Sequence, residues 1–220
     1  MNLELKKELP IIGIVIIPFV YLASIWKSLP ERIPINWNMD GEIAHWGSKI
    51  ILILVVCMLP VLTYTVLFAA AKFDPKNRTA SMGRKFSQLK FFLVLFKSLL
   101  ALIIIYITKN QSFSDPALMY VLVGVLLMIM GNYFKVIRPG YFIGIRTPWT
   151  LENEEVWKAT HVFAGKIWLF GGLIIVLGGI IFSGFVFSKA LVTIGFIVAF
   201  LPVAYSFFKY RQLEKKQKKL

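Results

Sequence analysis

IWLFGGLIIVLGGIIFSGFVFSKALVTIGFIVAFLPVAYSFF, residues 167–208, carries a single charged side chain, Lys189. A helix rises about 1.5 Å per residue and the hydrocarbon core of a bilayer is about 30 Å thick, so the stretch is about twice as long as one crossing needs. It reads as two spans, Lys166–Phe187 and Ala190–Phe208, folded back as a helical hairpin that turns near Ser183–Lys189. Helices are expected because hydrocarbon offers no water to the backbone, so each N–H and C=O must find its partner within the segment.

Working outward, four earlier runs have the same character: Leu9–Trp26, Ile50–Ala71, Phe91–Thr108 and Ala117–Phe134. The expected fold is therefore all-α, a polytopic integral membrane protein with about six transmembrane helices. Composition agrees. The chain of 220 residues is 58% hydrophobic, with a mean hydropathy of +0.72. A soluble domain of that makeup would expose too much apolar surface. The first run lacks a small-x-small cleavage pattern after it, since VYLASIWKSLP places Tyr21 or Leu22 where a small residue is wanted, and it reads as a retained span.

The net charge of +14 invites a nucleic-acid reading. The basic residues, however, sit in short segments between apolar runs, which suits membrane topology and anionic lipid, and no direct nucleic-acid partner is expected. Lys and Arg number eighteen in the tails, the second connection and the fourth, against five in the first, third and fifth. That bias places both termini and the fourth connection in the cytoplasm and the first connection outside. Cys57, the one cysteine, lies in an apolar run, so no disulfide framework or cysteine metal site is available. Pro18, Pro60 and Pro202 fall within spans, where proline removes a backbone bond and either opens a cavity or improves packing. Lys97, inside the third run, must snorkel to the headgroups, pair with an anion or face water. No acidic residue lies within any of the six runs, which argues against a proton-coupled carboxylate relay.

Two connections carry more than turn residues. The first, LPERIPINWNMDGEIAHWGSK (residues 29–49), has Pro30 and Pro34 favouring extended or turn geometry and a turn at Asn38–Gly41, with Gly41 free to take positive φ. Trp37 and Trp46 suit headgroup depth. The loop is either a compact recognition surface built on these aromatics or a lid that anchors two spans. His45 and the only other histidine, His161, are expected on opposite faces of the bilayer, so no metal site follows.

The fourth connection, GNYFKVIRPGYFIGIRTPWTLENEEVWKATHVFAGKIW (residues 131–168), concentrates polar, basic and aromatic groups beside the bilayer. Arg138-Pro139-Gly140 signals a turn, and Tyr141–Arg146 is semi-apolar, able to dip into the interface. A helix starts either at Thr147-Pro148, with a capping hydroxyl and proline at the first position, or at Asn153, with Glu154 and Glu155 in the first turn. Trp157, His161, Ala164/Gly165 and Trp168 then recur on one face, Glu154 and Lys158 stand at i,i+4, and the helix runs on into the fifth span. By residue chemistry alone these groups serve anchoring, topology and packing. His161 with Glu154 or Glu155 would be a base pair, but no activated nucleophile accompanies it, and no enzyme or cofactor is expected.

GNYFKVIRPGYFIGIRTPWT followed by NEEVWKATHVFAG resembles the signature of the SdpI family, bacterial membrane immunity proteins against the sporulation-delaying killing peptide. The first connection resembles the small domain of unknown function that commonly precedes that signature. The resemblance covers the first span through its outer loop and about residues 117–190. It implies two regions: 1–110, an N-terminal membrane region of three spans with an outer loop at 27–49, and 111–220, an SdpI-like membrane domain of three spans with a cytoplasmic signature loop at 135–165. It further implies a multi-pass protein of the bacterial cell membrane that protects its cell from a secreted toxin peptide. In the type system such a protein also holds a cytoplasmic repressor at the membrane. Carried over are Asn132, Arg138, Gly144, Arg146, Thr147, Pro148, Trp149, Glu155, Trp157 and His161 in the signature, and Pro34, Trp37, Asn38, Gly41, Trp46 and Lys49 in the outer loop, none with a catalytic role. The alternative is a small transporter or channel, for which the span prolines and Lys97 speak and against which the lack of an inverted repeat counts. Oligomeric state is not legible.

Overall fold

The computed structural model describes residues 3–38, 42–73, 83–111, 116–137, 139, 144–182 and 187–217. Its helices are α1 (Leu3–Ile25), α2 (Ile50–Lys72), α3 (Arg84–Asn110), α4 (Ala117–Phe134), the short α5 (Pro148–Glu152), α6 (Glu154–Ile181) and α7 (Ser188–Gln217). Among the described residues six helices are long and apolar enough to cross a bilayer, the α1 crossing taken as Glu8–Ser28. The protein is an all-α polytopic membrane protein. The helices overrun the apolar runs read from sequence: α3 begins at Arg84 and α6 at Glu154. Intrahelical hydrogen bonding does not stop where hydrocarbon gives way to headgroups.

Among the described residues one unit, a hairpin, is a β-element. Arg32–Trp37 (β1) and Ile43–Ser48 (β2) pair antiparallel in the first connection, with irregular register between Pro34 and Trp37. The expected extended geometry at Pro34 is thus one strand of a hairpin. Ile33 is buried against Leu22, Leu29, Leu52, Ala101 and Ile105, so the hairpin caps the α1–α2–α3 core.

The α4–α6 seam is set by glycines at heptad spacing. A Cβ added at Gly165 would lie 2.7 Å from the Gly131 carbonyl oxygen, and one at Gly172 would lie 2.5 Å from that of Gly124. Without hydrophobic drive between helices in lipid, such close backbone approach maximises dispersion contact. α6 meets α7 and the residue that leads into it through two further glycines: a Cβ at Gly171 would strike Val198 of α7 at 2.5 Å, and one at Gly178 the ring of Phe187, just before α7, at 2.2 Å. The α6–α7 contacts run antiparallel, as the hairpin reading requires; of its turn, residues 183–186 lie outside the described residues.

The three span prolines resolve differently. Pro60 sits in a π-helical turn, Cys57–Val61, within α2, a common accommodation of a proline break. Pro202 lacks the N–H that would bond the Val198 carbonyl. Trp168 Nε1 donates to that carbonyl at 3.0 Å instead. Pro18 lies inside α1.

Lys90 corrects the charge tally. Counted above as a connection residue, it lies in α3, 5% exposed, and its ammonium pairs with Glu8 at the start of the first crossing and lies 5.8 Å from the centre of the Tyr64 ring. A carboxylate therefore does stand at the edge of a span, because the crossing, Glu8–Ser28, begins one residue before the apolar run. The ion pair ties α1 to α3. Lys97 is half-buried, its ammonium 5.6 Å from the Phe96 ring centre.

Candidate functional site

Both helix starts considered for the fourth connection are used. The Thr147 hydroxyl accepts the Thr150 N–H, the Thr150 hydroxyl accepts the Thr147 N–H at 2.9 Å, and Pro148 takes the first position of α5. The Asn153 side chain then accepts the N–H groups of Glu155 and Val156 at 2.9 and 3.1 Å, starting α6. Each cap satisfies amide donors that the first turn leaves open. Thr150 is fully buried and its hydroxyl also lies 2.9 Å from the Ile145 carbonyl, to which it donates, joining the loop to the short helix.

The centre of this arrangement is a latch around His161 and Trp157, each 1% exposed. Their rings stack at 4.1 Å. The Ile145 N–H donates to His161 Nε2 at 3.0 Å, so that nitrogen carries no proton. Nδ1 therefore holds it and donates to the Trp157 carbonyl at 2.8 Å. Trp157 Nε1 donates to the Ile137 carbonyl at 2.9 Å. Gly144 makes the close approach possible: its φ is +121°, and a Cβ there would lie 2.6 Å from His161 Nε2 and 2.7 Å from Trp157 Cη2. The loop before α5 is thus clamped onto α6 at one backbone position that no side chain can occupy.

Trp149 extends the clamp to α7. Its Nε1 donates to Ser206 Oγ at 2.7 Å and its ring packs edge-on to Phe207 at 5.4 Å. Phe134 of α4 meets Trp168 edge-on at 4.7 Å and His161 at 5.7 Å. A cavity of about 500 Å³ opens beside the latch, its walls including Lys135, Glu154 and Lys158.

Of the signature residues, the structure brings together Gly144, Thr147, Trp149, Trp157 and His161. Asn132, Arg146, Pro148 and Glu155 are exposed around them. Arg138 lies outside the described residues, as do residues 140–143 of the expected turn and interfacial dip. The carboxylate that pairs is Glu155, with Lys209 of α7 at 3.4 Å, where Glu154 with Lys158 was expected. Exposed lysines gain little from any one geometry, and α7 passes alongside. His161 faces backbone rather than Glu154 or Glu155, which makes it a strut. Phe134 and Thr150 lie inside the quoted signature without having been singled out, and Ser206 lies outside it. Gly165 and Trp168 were visible as spacing on the Trp157 face.

At the other end, Asn38 and Glu42 close the hairpin through Glu42 N–H to Asn38 Oδ1 at 2.8 Å and Asn38 N–H to the Glu42 carbonyl at 2.9 Å. Gly41 lies outside the described residues. Lys49 bonds Glu31 at 2.7 Å and stands 5.1 Å from the Trp26 ring centre, pinning the base of the hairpin to α1. Pro34 is buried, Trp37 half-buried, and Trp46 and His45 exposed. Among the described residues no three His, Cys, Asp or Glu side chains converge as metal ligands.

Two family models match the chain: the SdpI/YfhL protein family over residues 136–206, and a domain of unknown function, DUF1648, over residues 13–63. The immunity protein SdpI of Bacillus subtilis (strain 168) is 32% identical over 169 residues, 75% of this chain and 78% of that protein. The chain belongs to the SdpI family. No solved structure matches it. The SdpI-family match ends at Ser206, the α7 partner of Trp149, so the matched segment is the latch together with both helices it clamps. The other match contains the outer hairpin and the adjoining parts of the two helices that flank it. As an SdpI-family member with six apolar crossings, the chain is a multi-pass cell-membrane protein.

Proposed function

We propose that this chain is a membrane immunity protein, protecting the cell that carries it from a secreted antimicrobial peptide without chemical turnover of its own. The observation that carries the reading is 32% identity, over 75% of the chain, to a protein named for immunity. The hairpin and the latch lie at opposite ends of the crossing helices, which supports a division of labour. We read the outer hairpin, with Trp46 exposed, as the surface that meets the toxin. We read the latch face, with exposed Asn132, Arg146 and Glu155, as the cytoplasmic surface that holds a repressor. In this reading 1–110 is the sensing region and 111–220 the signalling one. The Lys/Arg bias toward the latch side supports that orientation.

Expression in a sensitive strain tests the proposal. Survival under the killing peptide should rise, and unchanged survival across a panel of such peptides would remove its support. Arg146→Ala should leave membrane insertion intact, because the side chain is exposed, while lowering protection or reporter induction. If both are spared, Arg146 is not part of the working surface.

A further inference from the structure

Between α6 and α7, on the side of the bilayer that holds the latch, lies a groove of about 370 Å³. Its lining includes Lys158, Val162, Phe163 and Lys166 from α6 and Tyr205 and Lys209 from α7. Phe163 and Tyr205 stack face to face at 4.2 Å and 14°, closing the floor. Lys209 is partly neutralised by Glu155 at 3.4 Å. Lys158 and Lys166 are exposed and, among the described residues, form no ion pair. The groove therefore holds a cationic surplus.

Spacing says what that surplus faces. Lys158, Val162 and Lys166 follow one another at i,i+4, and so lie on one stripe of α6, the lysines about 12 Å apart along its axis. The same i,i+4 ridge, winding about 40° round the helix at each step, continues below Lys166 into the apolar part as Phe170 and Ile174, which are 59% and 53% exposed. Lys166 thus stands directly above an open apolar track, with Lys158 about two turns further toward the cytoplasm. Phosphate above hydrocarbon is the chemistry of a phospholipid, and basic pockets between membrane helices select anionic headgroups. A cytoplasmic protein would reach the lysines but not the track.

We propose that this groove seats an anionic phospholipid, its phosphate held between Lys158 and Lys166 and its acyl chains laid along Phe170 and Ile174. The bound lipid fills the seam between the helix that carries the latch and the one that Trp149 grips.

The test uses the full chain, purified in mild detergent and mixed with phosphatidylglycerol or phosphatidylcholine, with retained lipid counted by native mass spectrometry. Wild type should retain phosphatidylglycerol in preference to phosphatidylcholine by about fivefold or more, each lysine near an anionic headgroup contributing about that factor. Lys158→Gln with Lys166→Gln should bring the ratio near one. Lys215→Gln with Lys216→Gln removes the same charge from the last turn of α7, outside the groove lining, and should leave the ratio unchanged. If the double groove variant does not fold, Lys158→Gln and Lys166→Gln singly must each lower the ratio. The proposal is overturned if wild type does not discriminate, or if the distal pair lowers the ratio as much as the groove pair. It is equally overturned if excess inorganic phosphate strips the lipid, since the site would then be one for a free anion.

Discussion

Gly144 is the residue on which the latch turns. Its backbone lies at φ +121°, a conformation that side chains rarely adopt, and a methyl group there would meet an imidazole nitrogen at 2.6 Å and an indole at 2.7 Å. Neither ring can retreat, since His161 is held through both nitrogens and Trp157 through its own N–H. Gly144→Ala should therefore cost about 1–3 kcal/mol from backbone strain alone, with the overlap added to it. Denaturant unfolding in micelles checks this, with Val162→Ala on the exposed stripe of α6 as a substitution expected to be near neutral. An unchanged midpoint for Gly144→Ala would mean that the loop does not close on the two rings.

At the scale of the element, α6 does most of the organising. One face is shaved to glycine against α4, another to glycine against α7, and its third stripe is left to lipid. Trp168 adds a polar weld by donating to the carbonyl that Pro202 leaves open in α7. Two substitutions should therefore couple. Trp168→Phe strands a carbonyl and should cost about 1–3 kcal/mol. Pro202→Ala restores the helix's own N–H donor to Val198, so the Trp168→Phe penalty should shrink in that background. A double-mutant cycle on unfolding free energies measures the coupling. Strict additivity would show that the tryptophan bond and the proline gap are unrelated.

For the whole molecule, an even number of crossings puts both termini on one side together with the latch, and the hairpin on the other. Cysteine labelling in intact cells decides which side is which, since the chain has one native cysteine, Cys57. In a Cys57→Ser background, His45→Cys on the exposed hairpin should react with a membrane-impermeant maleimide. Gln212→Cys, exposed on the final turns of α7, should react only after lysis. The reverse pattern would invert the topology and move the toxin-facing role to the latch.

How much of this was legible in the chain depends on how local each feature is. A crossing helix is a property of a continuous run of residues, so the number of spans, the hairpin of 167–208 and the caps at Thr147 and Asn153 were readable one window at a time. The family, too, lies in contiguous residues. The sequence alone therefore determined the class, the crossings and the membership. What it left undecided was pairing across distance: Lys90 with Glu8, Trp149 with Ser206, Trp168 with Val198, and His161 with the backbone of Ile145 rather than with a carboxylate. Hydropathy carries no direction in lipid, where a leucine facing hydrocarbon and one facing a helix are almost equally content. Only the tertiary structure, through close glycine contacts and directional hydrogen bonds, decides which faces meet.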